Sequence, residues 1–159
     1  MHSTSLQSMR NRFSTRFKVS SVLEIGSRNA TQYRELFPDA RYVGVDLAPG
    51  RNVDQVVVAG DPLPFADGEF DAVISGQSLE HDLRFWITLA EMGRVSSKYA
   101  VVIAPGTSKL HARPDYWRFM HDAQDVWAEL LGMEIIERWR DENDRASDCG
   151  GIFGKRVKA

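Results

Sequence analysis

Val22-Leu23-Glu24-Ile25-Gly26, followed about twenty residues later by Tyr42-Val43-Gly44-Val45-Asp46, decides how this chain is read. Both are short apolar runs. The first closes on an acid and a glycine, the second on an aspartate. Short apolar runs closed by turn residues read as buried strands. In a parallel α/β sheet this spacing sets a tight glycine turn and a carboxylate side by side at the carboxyl ends of neighbouring strands. A nucleoside-bearing cofactor can be held there, with the second acid on its ribose hydroxyls.

The remaining segments extend the same pattern. Ala30–Phe37 reads as a short helix stopped by Pro38. Arg41–Leu47 is the second strand and Ala48-Pro49-Gly50 breaks the chain, leaving little room for a helix before a third strand at Gln55–Val58. Phe70–Ser75 is a fourth strand. Ser78 is placed to cap the next helix, whose apolar face reads as Leu83, Trp86, Ile87 and Ala90. Tyr99–Ala104 is a fifth strand. Asp122 opens a helix striped with Ala123, Val126, Trp127, Leu130 and Leu131, and Gly132 suits its left-handed end. Met133–Trp139 and Gly151–Val157 read as a closing antiparallel pair. The fold class expected is α/β: a Rossmann-like, mostly parallel sheet flanked by helices, with right-handed crossovers and a final antiparallel strand pair.

Composition narrows the function classes. The chain has 159 residues, enough for one core, expected over 21–159 behind an N-terminal tail at 1–20. That tail has no acid before Lys18 but carries Arg10, Arg12 and Arg16, so it resembles a transit peptide or a basic arm; the plainer reading is a frayed or partly helical end. A net charge of -2 gives no general pull toward nucleic acid or an anionic membrane. No run approaches the roughly 20 apolar residues of a bilayer span. The one cysteine, Cys149, excludes an internal disulfide and fits a reducing, cytoplasmic setting, as a structural thiol.

Five pieces in order carry a family resemblance: Leu23-Glu24-Ile25-Gly26-Ser27, Gly44-Val45-Asp46-Leu47, Gly60-Asp61-Pro62-Leu63-Pro64-Phe65, Phe70-Asp71-Ala72-Val73-Ile74-Ser75 and Ser78-Leu79-Glu80-His81. Together, over residues 22 to 132, the chain resembles the class I S-adenosylmethionine-dependent methyltransferases, type 11-like. The resemblance implies S-adenosyl-L-methionine as cofactor. It implies Gly26 and Ser27 in the turn, Glu24 toward the methionyl end, Asp46 on the ribose and Asp61 on the adenine amino group. It further implies Leu47, Pro62 and Leu63 around the adenine ring, and Gln77 at the methionine ammonium. Two further glycines usual in that turn are here Arg28 and Ala30; Arg28 either points to solvent or narrows the pocket. A nicotinamide dehydrogenase, the nearest enzyme rival, would want G-x-G-x-x-G, and Gly26-Ser27-Arg28-Asn29-Ala30-Thr31 lacks two of those glycines.

The acceptor side is less legible. His111-Ala112-Arg113-Pro114-Asp115-Tyr116-Trp117-Arg118-Phe119 follows the fifth strand and falls over the carboxyl edge of the sheet. Trp117 and Phe119 read as anchors, Tyr116 and Arg118 as substrate contacts. A general base, if one is needed, is His81 or His111. No metal site is expected. The chemistry expected is in-line methyl transfer to an unidentified small-molecule acceptor. The alternative is an inactive, methyltransferase-like binding or partner module, motivated by Arg28 and the small substrate lid. RNA binding through the basic arm and Lys155, Arg156 and Lys158 is the weaker reading, and a homodimer is one way to close the pocket.

Overall fold

The computed structural model describes residues 3–28, 33–107, 112–141 and 147–156. Seven strands form one sheet: β1 (Ser21–Ile25), β2 (Arg41–Asp46), β3 (Gln55–Val56), β4 (Phe70–Gly76), β5 (Ser96–Ala104), β6 (Met133–Arg140) and β7 (Cys149–Lys155). Their spatial order is β3-β2-β1-β4-β5-β7-β6. All pairings from β3 to β5 are parallel; β7 runs antiparallel to both β5 and β6. The chain therefore lays β2 and β3 to one side of β1, then crosses to the other side for β4. That reversal opens a crevice beyond the carboxyl ends of β1 and β4, the position where such sheets take ligands.

Strand alternation sorts the core into two layers. Leu23, Val45, Val73, Ala100, Val102 and Phe153 face helices α2 (Phe85–Val95) and α3 (Ala123–Leu131), which contribute Leu89, Met92, Val95, Trp127 and Leu131. Val22, Ala72, Ile74, Val101, Ile103 and Ile152 face the opposite way. They are covered by Tyr33, Phe37 and the N-terminal segment, where α1 (Ser3–Ser8) runs into a wider helical turn over Met9–Ser14. Met9 and Phe13, in the stretch read from sequence as a tail, have no exposed surface.

Several local expectations are corrected. Ser78 does not cap a helix through its side chain. Only a short 3-10 turn, Leu79–His81, follows it, and α2 starts later, where Asp82 accepts from the Arg84 amide (2.9 Å) and the Thr88 hydroxyl (2.5 Å). The helix face shifts accordingly: Leu83 (56% exposed) and Trp86 (41%) lie outside, and Leu89, Met92 and Val95 fill the core. On α3, Trp127 and Leu131 are buried, Val126 is exposed, and Gly132 ends the helix at φ +63°. Of the helix expected over Ala30–Phe37, the described part is a 3-10 turn at Arg34–Leu36; residues 29–32 lie outside the described residues. Among the described residues no helix is long and apolar enough to cross a membrane.

Candidate active site

The crevice at the strand reversal holds about 490 Å³, within the usual range for small-molecule sites. Its floor is the turn after β1. The Gly26 and Ser27 amides donate to the Val45 carbonyl (2.9 and 3.1 Å), bending the turn over β2. Gly26 has φ +78°, and a Cβ there would lie 2.3 Å from the Ser78 Cβ. Only glycine fits. Ser78 is held in that contact by its own bonds, to the Ser75 hydroxyl (2.7 Å) and the Ile25 carbonyl (3.4 Å).

Asp46 stands at the end of β2 and lines the crevice. Its carboxylate accepts from the amides of Arg28 (3.0 Å) and Leu47 (2.7 Å), which ties the two turns together. Each oxygen keeps acceptor capacity for a further donor. Leu47, Val58, Asp61 and Leu63 line the β3 side, with Leu47 and Val58 mostly exposed. This slot is apolar with an acid at its rim, which suits a purine ring and its amino group. Gln77, on the β4 side, is held at φ +58° while its amide donates to the Ile103 carbonyl (2.8 Å). A non-glycine residue in this region is strained, and such strain gathers at functional sites. Gln77 lines the crevice, and its side-chain Nε2 is buried with no hydrogen-bond partner among the described residues.

The loop at Leu63–Phe65, on the β3 side of the crevice, is fixed by two residues that the sequence reading overlooked. Arg94 donates to the carbonyls of Leu63 (2.9 Å) and Phe65 (2.8 Å) and pairs with Glu91 (2.7 Å), while Glu91 accepts from the Leu63 amide (2.7 Å). A Glu and an Arg three apart on one helix gave a signal of an ion pair, but nothing in sequence tied that pair to a loop some thirty residues away.

Other residues singled out from sequence lie elsewhere. Glu24 is buried on the opposite face, and its carboxylate accepts from the Tyr42 hydroxyl (2.7 Å). Burial pushes its pKa up to about 7, against the lowering effects of Tyr42 and Arg34. Ser27 is fully buried, packed against Gly44, and neither it nor Pro62 lines the crevice. Arg28 lines the rim, but its stem lies over Gly50, beyond β2.

On the β5 side, His81 and Pro114 form the wall. The His81 Nδ1 and the Pro114 carbonyl are 2.5 Å apart. A carbonyl can only accept, so Nδ1 carries the proton. Nε2 lies 3.5 Å from Glu80. Glu80 has no exposed surface, and burial raises its pKa to about 7. Trp117 and Phe119 are anchors: the Trp117 indole donates to the Asp82 carbonyl (2.8 Å), and Phe119 packs edge-on against Phe85 and Trp127. Arg118 makes a two-pronged pair with Asp115 (2.6 and 2.7 Å), and Tyr116 is half exposed; neither lines the crevice. His111 lies outside the described residues. Cys149 is buried and contacts the Phe119 carbonyl through its thiol. Among the described residues no cluster of metal-ligating side chains occurs.

A methyltransferase domain family matches residues 23–104, more than half the chain. The chain belongs to that family. It has the small class I S-adenosylmethionine-dependent methyltransferase fold, and the cofactor of the fold is S-adenosyl-L-methionine. It is 28% identical to a demethylmenaquinone methyltransferase of Corynebacterium efficiens, over 81% of this chain and 68% of that protein. It superposes on the Burkholderia thailandensis 1,6-didemethyltoxoflavin-N1-methyltransferase, solved with 1,6-didemethyltoxoflavin and S-adenosylhomocysteine, at TM-score 0.73 with 11% identity, covering 98% of this chain and 78% of that one. It also superposes on the putative methyltransferase of Haloferax volcanii solved in complex with the activator Trm112, at TM-score 0.70 with 15% identity, covering 98% and 95%. At such identities the two structures bear on the fold alone. The residues present fit the cofactor: a turn with no room for a side chain, a carboxylate with acceptor capacity left, an apolar slot, and a buried amide nitrogen lacking a partner among the described residues.

Proposed function

We propose that this protein transfers the methyl group of S-adenosyl-L-methionine to a small-molecule acceptor. The observation that carries the reading is the convergence, on one crevice, of Gly26, Asp46, Asp61, Leu63 and Gln77 from four separate segments of the chain. Asp46 would hold the ribose hydroxyls, Asp61 the adenine amino group, and Leu47 and Leu63 the faces of the ring. Gln77 would meet the amino-acid end through its amide. Bound there, the cofactor supplies a methyl group already activated by a positive sulfur. The protein's task is then to position the acceptor in line, and positioning alone supplies much of such an acceleration. Where the acceptor carries a proton, His81 on the crevice wall would take it at Nε2, the nitrogen that lies 3.5 Å from Glu80. The name of the Corynebacterium relative gives a small molecule as its acceptor, which supports that class here.

Transfer of a labelled methyl group to a broad panel of small acceptors tests the reading. Turnover is expected. Cofactor binding without any turnover would instead support the inactive binding module. Light scattering with and without S-adenosylhomocysteine reports on the homodimer expected as a cover for the crevice.

A further inference from the structure

The crevice has two sides, and the sheet order separates them. The purine slot lies over β2 and β3, among Leu47, Asp61 and Leu63; the wall of His81 and Arg113-Pro114 follows β4 and β5. The acceptor's share is the second side.

Arg113 stands out there. It lines the crevice, next to the proline whose carbonyl is fixed by His81. Among the described residues its guanidinium makes no hydrogen bond and no ion pair. Asp115, two residues further on, and Asp82, which also lines the crevice, are both engaged. Asp82 receives the Arg84 amide and the Thr88 hydroxyl, and Asp115 receives both prongs of Arg118. Arg28 also lacks a partner for its guanidinium among the described residues, but its stem lies over Gly50 on the purine side. Among the described residues Arg113 is therefore the cation left for the acceptor. A guanidinium is a planar fork of donors that matches a carboxylate or phosphate two bonds at a time.

We propose that the methyl acceptor carries an oxyanion, a carboxylate or a phosphate ester, and that Arg113 binds it on the β5 side of the crevice. The proposal rests on the methyltransferase reading and specifies its substrate class. Arg113 is a specificity residue: it aligns the acceptor and takes no part in bond making.

The test uses the full chain saturated with S-adenosylhomocysteine and three matched probes: benzoate, phenyl phosphate and the neutral benzamide. Dissociation constants are measured by ligand-detected nuclear magnetic resonance for the wild type, Arg113→Gln and Arg28→Gln. The wild type is expected to bind one or both anions at least about tenfold more tightly than benzamide. Arg113→Gln should abolish that preference without changing the affinity for S-adenosylhomocysteine, and Arg28→Gln should keep it. Which anion binds better tells the carboxylate from the phosphate. Three results overturn the inference alone: no preference for anions in the wild type, an unchanged preference in Arg113→Gln, or a loss of S-adenosylhomocysteine affinity in Arg113→Gln, which would give the guanidinium to the cofactor. No binding of S-adenosylhomocysteine by the wild type is a separate result; it overturns the methyltransferase reading and this inference with it.

Discussion

Glu24→Gln should make the protein more stable at pH 8 than the wild type. The carboxyl of Glu24 is 1% exposed, and burial raises its pKa from an ordinary 4.5 to about 7. In the unfolded chain it titrates at its ordinary value. Between those two pH values the folded protein holds a proton that the unfolded chain has released. Its stabilising contribution is therefore complete below about pH 4.5 and is lost as the pH rises through about 7. A displacement of this size is worth about 3 kcal/mol. Glutamine cannot ionise, and its carbonyl oxygen can still accept from the Tyr42 hydroxyl. The variant should then match the wild type within about 1 kcal/mol near pH 4.5 and exceed it by up to about 3 kcal/mol at pH 8. Urea unfolding followed by tryptophan fluorescence at several pH values measures this. Glu80, also buried and raised to about 7, adds its own slope to both proteins, so the difference between the two curves is the quantity to read. Parallel curves from pH 4.5 to pH 8 would refute the reasoning.

Two other substitutions probe the crevice. Gly26→Ala places a methyl 2.3 Å from the Ser78 Cβ at a positive φ. The backbone term alone costs about 1–2 kcal/mol, and the displaced turn should weaken S-adenosylhomocysteine binding at least tenfold by calorimetry, roughly the effect of 1.4 kcal/mol. Arg94→Ala releases the Leu63–Phe65 loop from α2; with the ion pair partly exposed, the expected loss is about 1–2 kcal/mol of stability in urea, with faster amide exchange at Leu63.

Much of the fold was legible because strands announce themselves locally. Val22–Ile25, Tyr42–Asp46, Phe70–Ser75 and Tyr99–Ala104 are apolar runs closed by turn residues, and all four are parallel strands. The place of the Asp46 carboxylate on the crevice was legible for the same reason, since it is set by where a strand ends. Helix faces were harder. The start of α2 depends on Asp82 rather than Ser78, and this later start turns Leu83 and Trp86 outward. The direction in which Glu24 and Ser27 point follows strand alternation and the path of a turn, which residue type does not encode. The Arg94 tether and the place of Arg113 on the crevice wall depend on segments distant in sequence. Met9 and Phe13 sit in a basic, serine-rich stretch whose composition hides two buried side chains.

The account depends on the crevice between Gly26, Asp46 and Gln77 being the cofactor site. Calorimetric titration of the wild type and Asp46→Asn with S-adenosylhomocysteine tests this most directly. The account predicts one-to-one binding by the wild type, weakened about tenfold or more in the variant through loss of a charged acceptor. No binding by the wild type at millimolar ligand, or equal affinity in the two proteins, would contradict it.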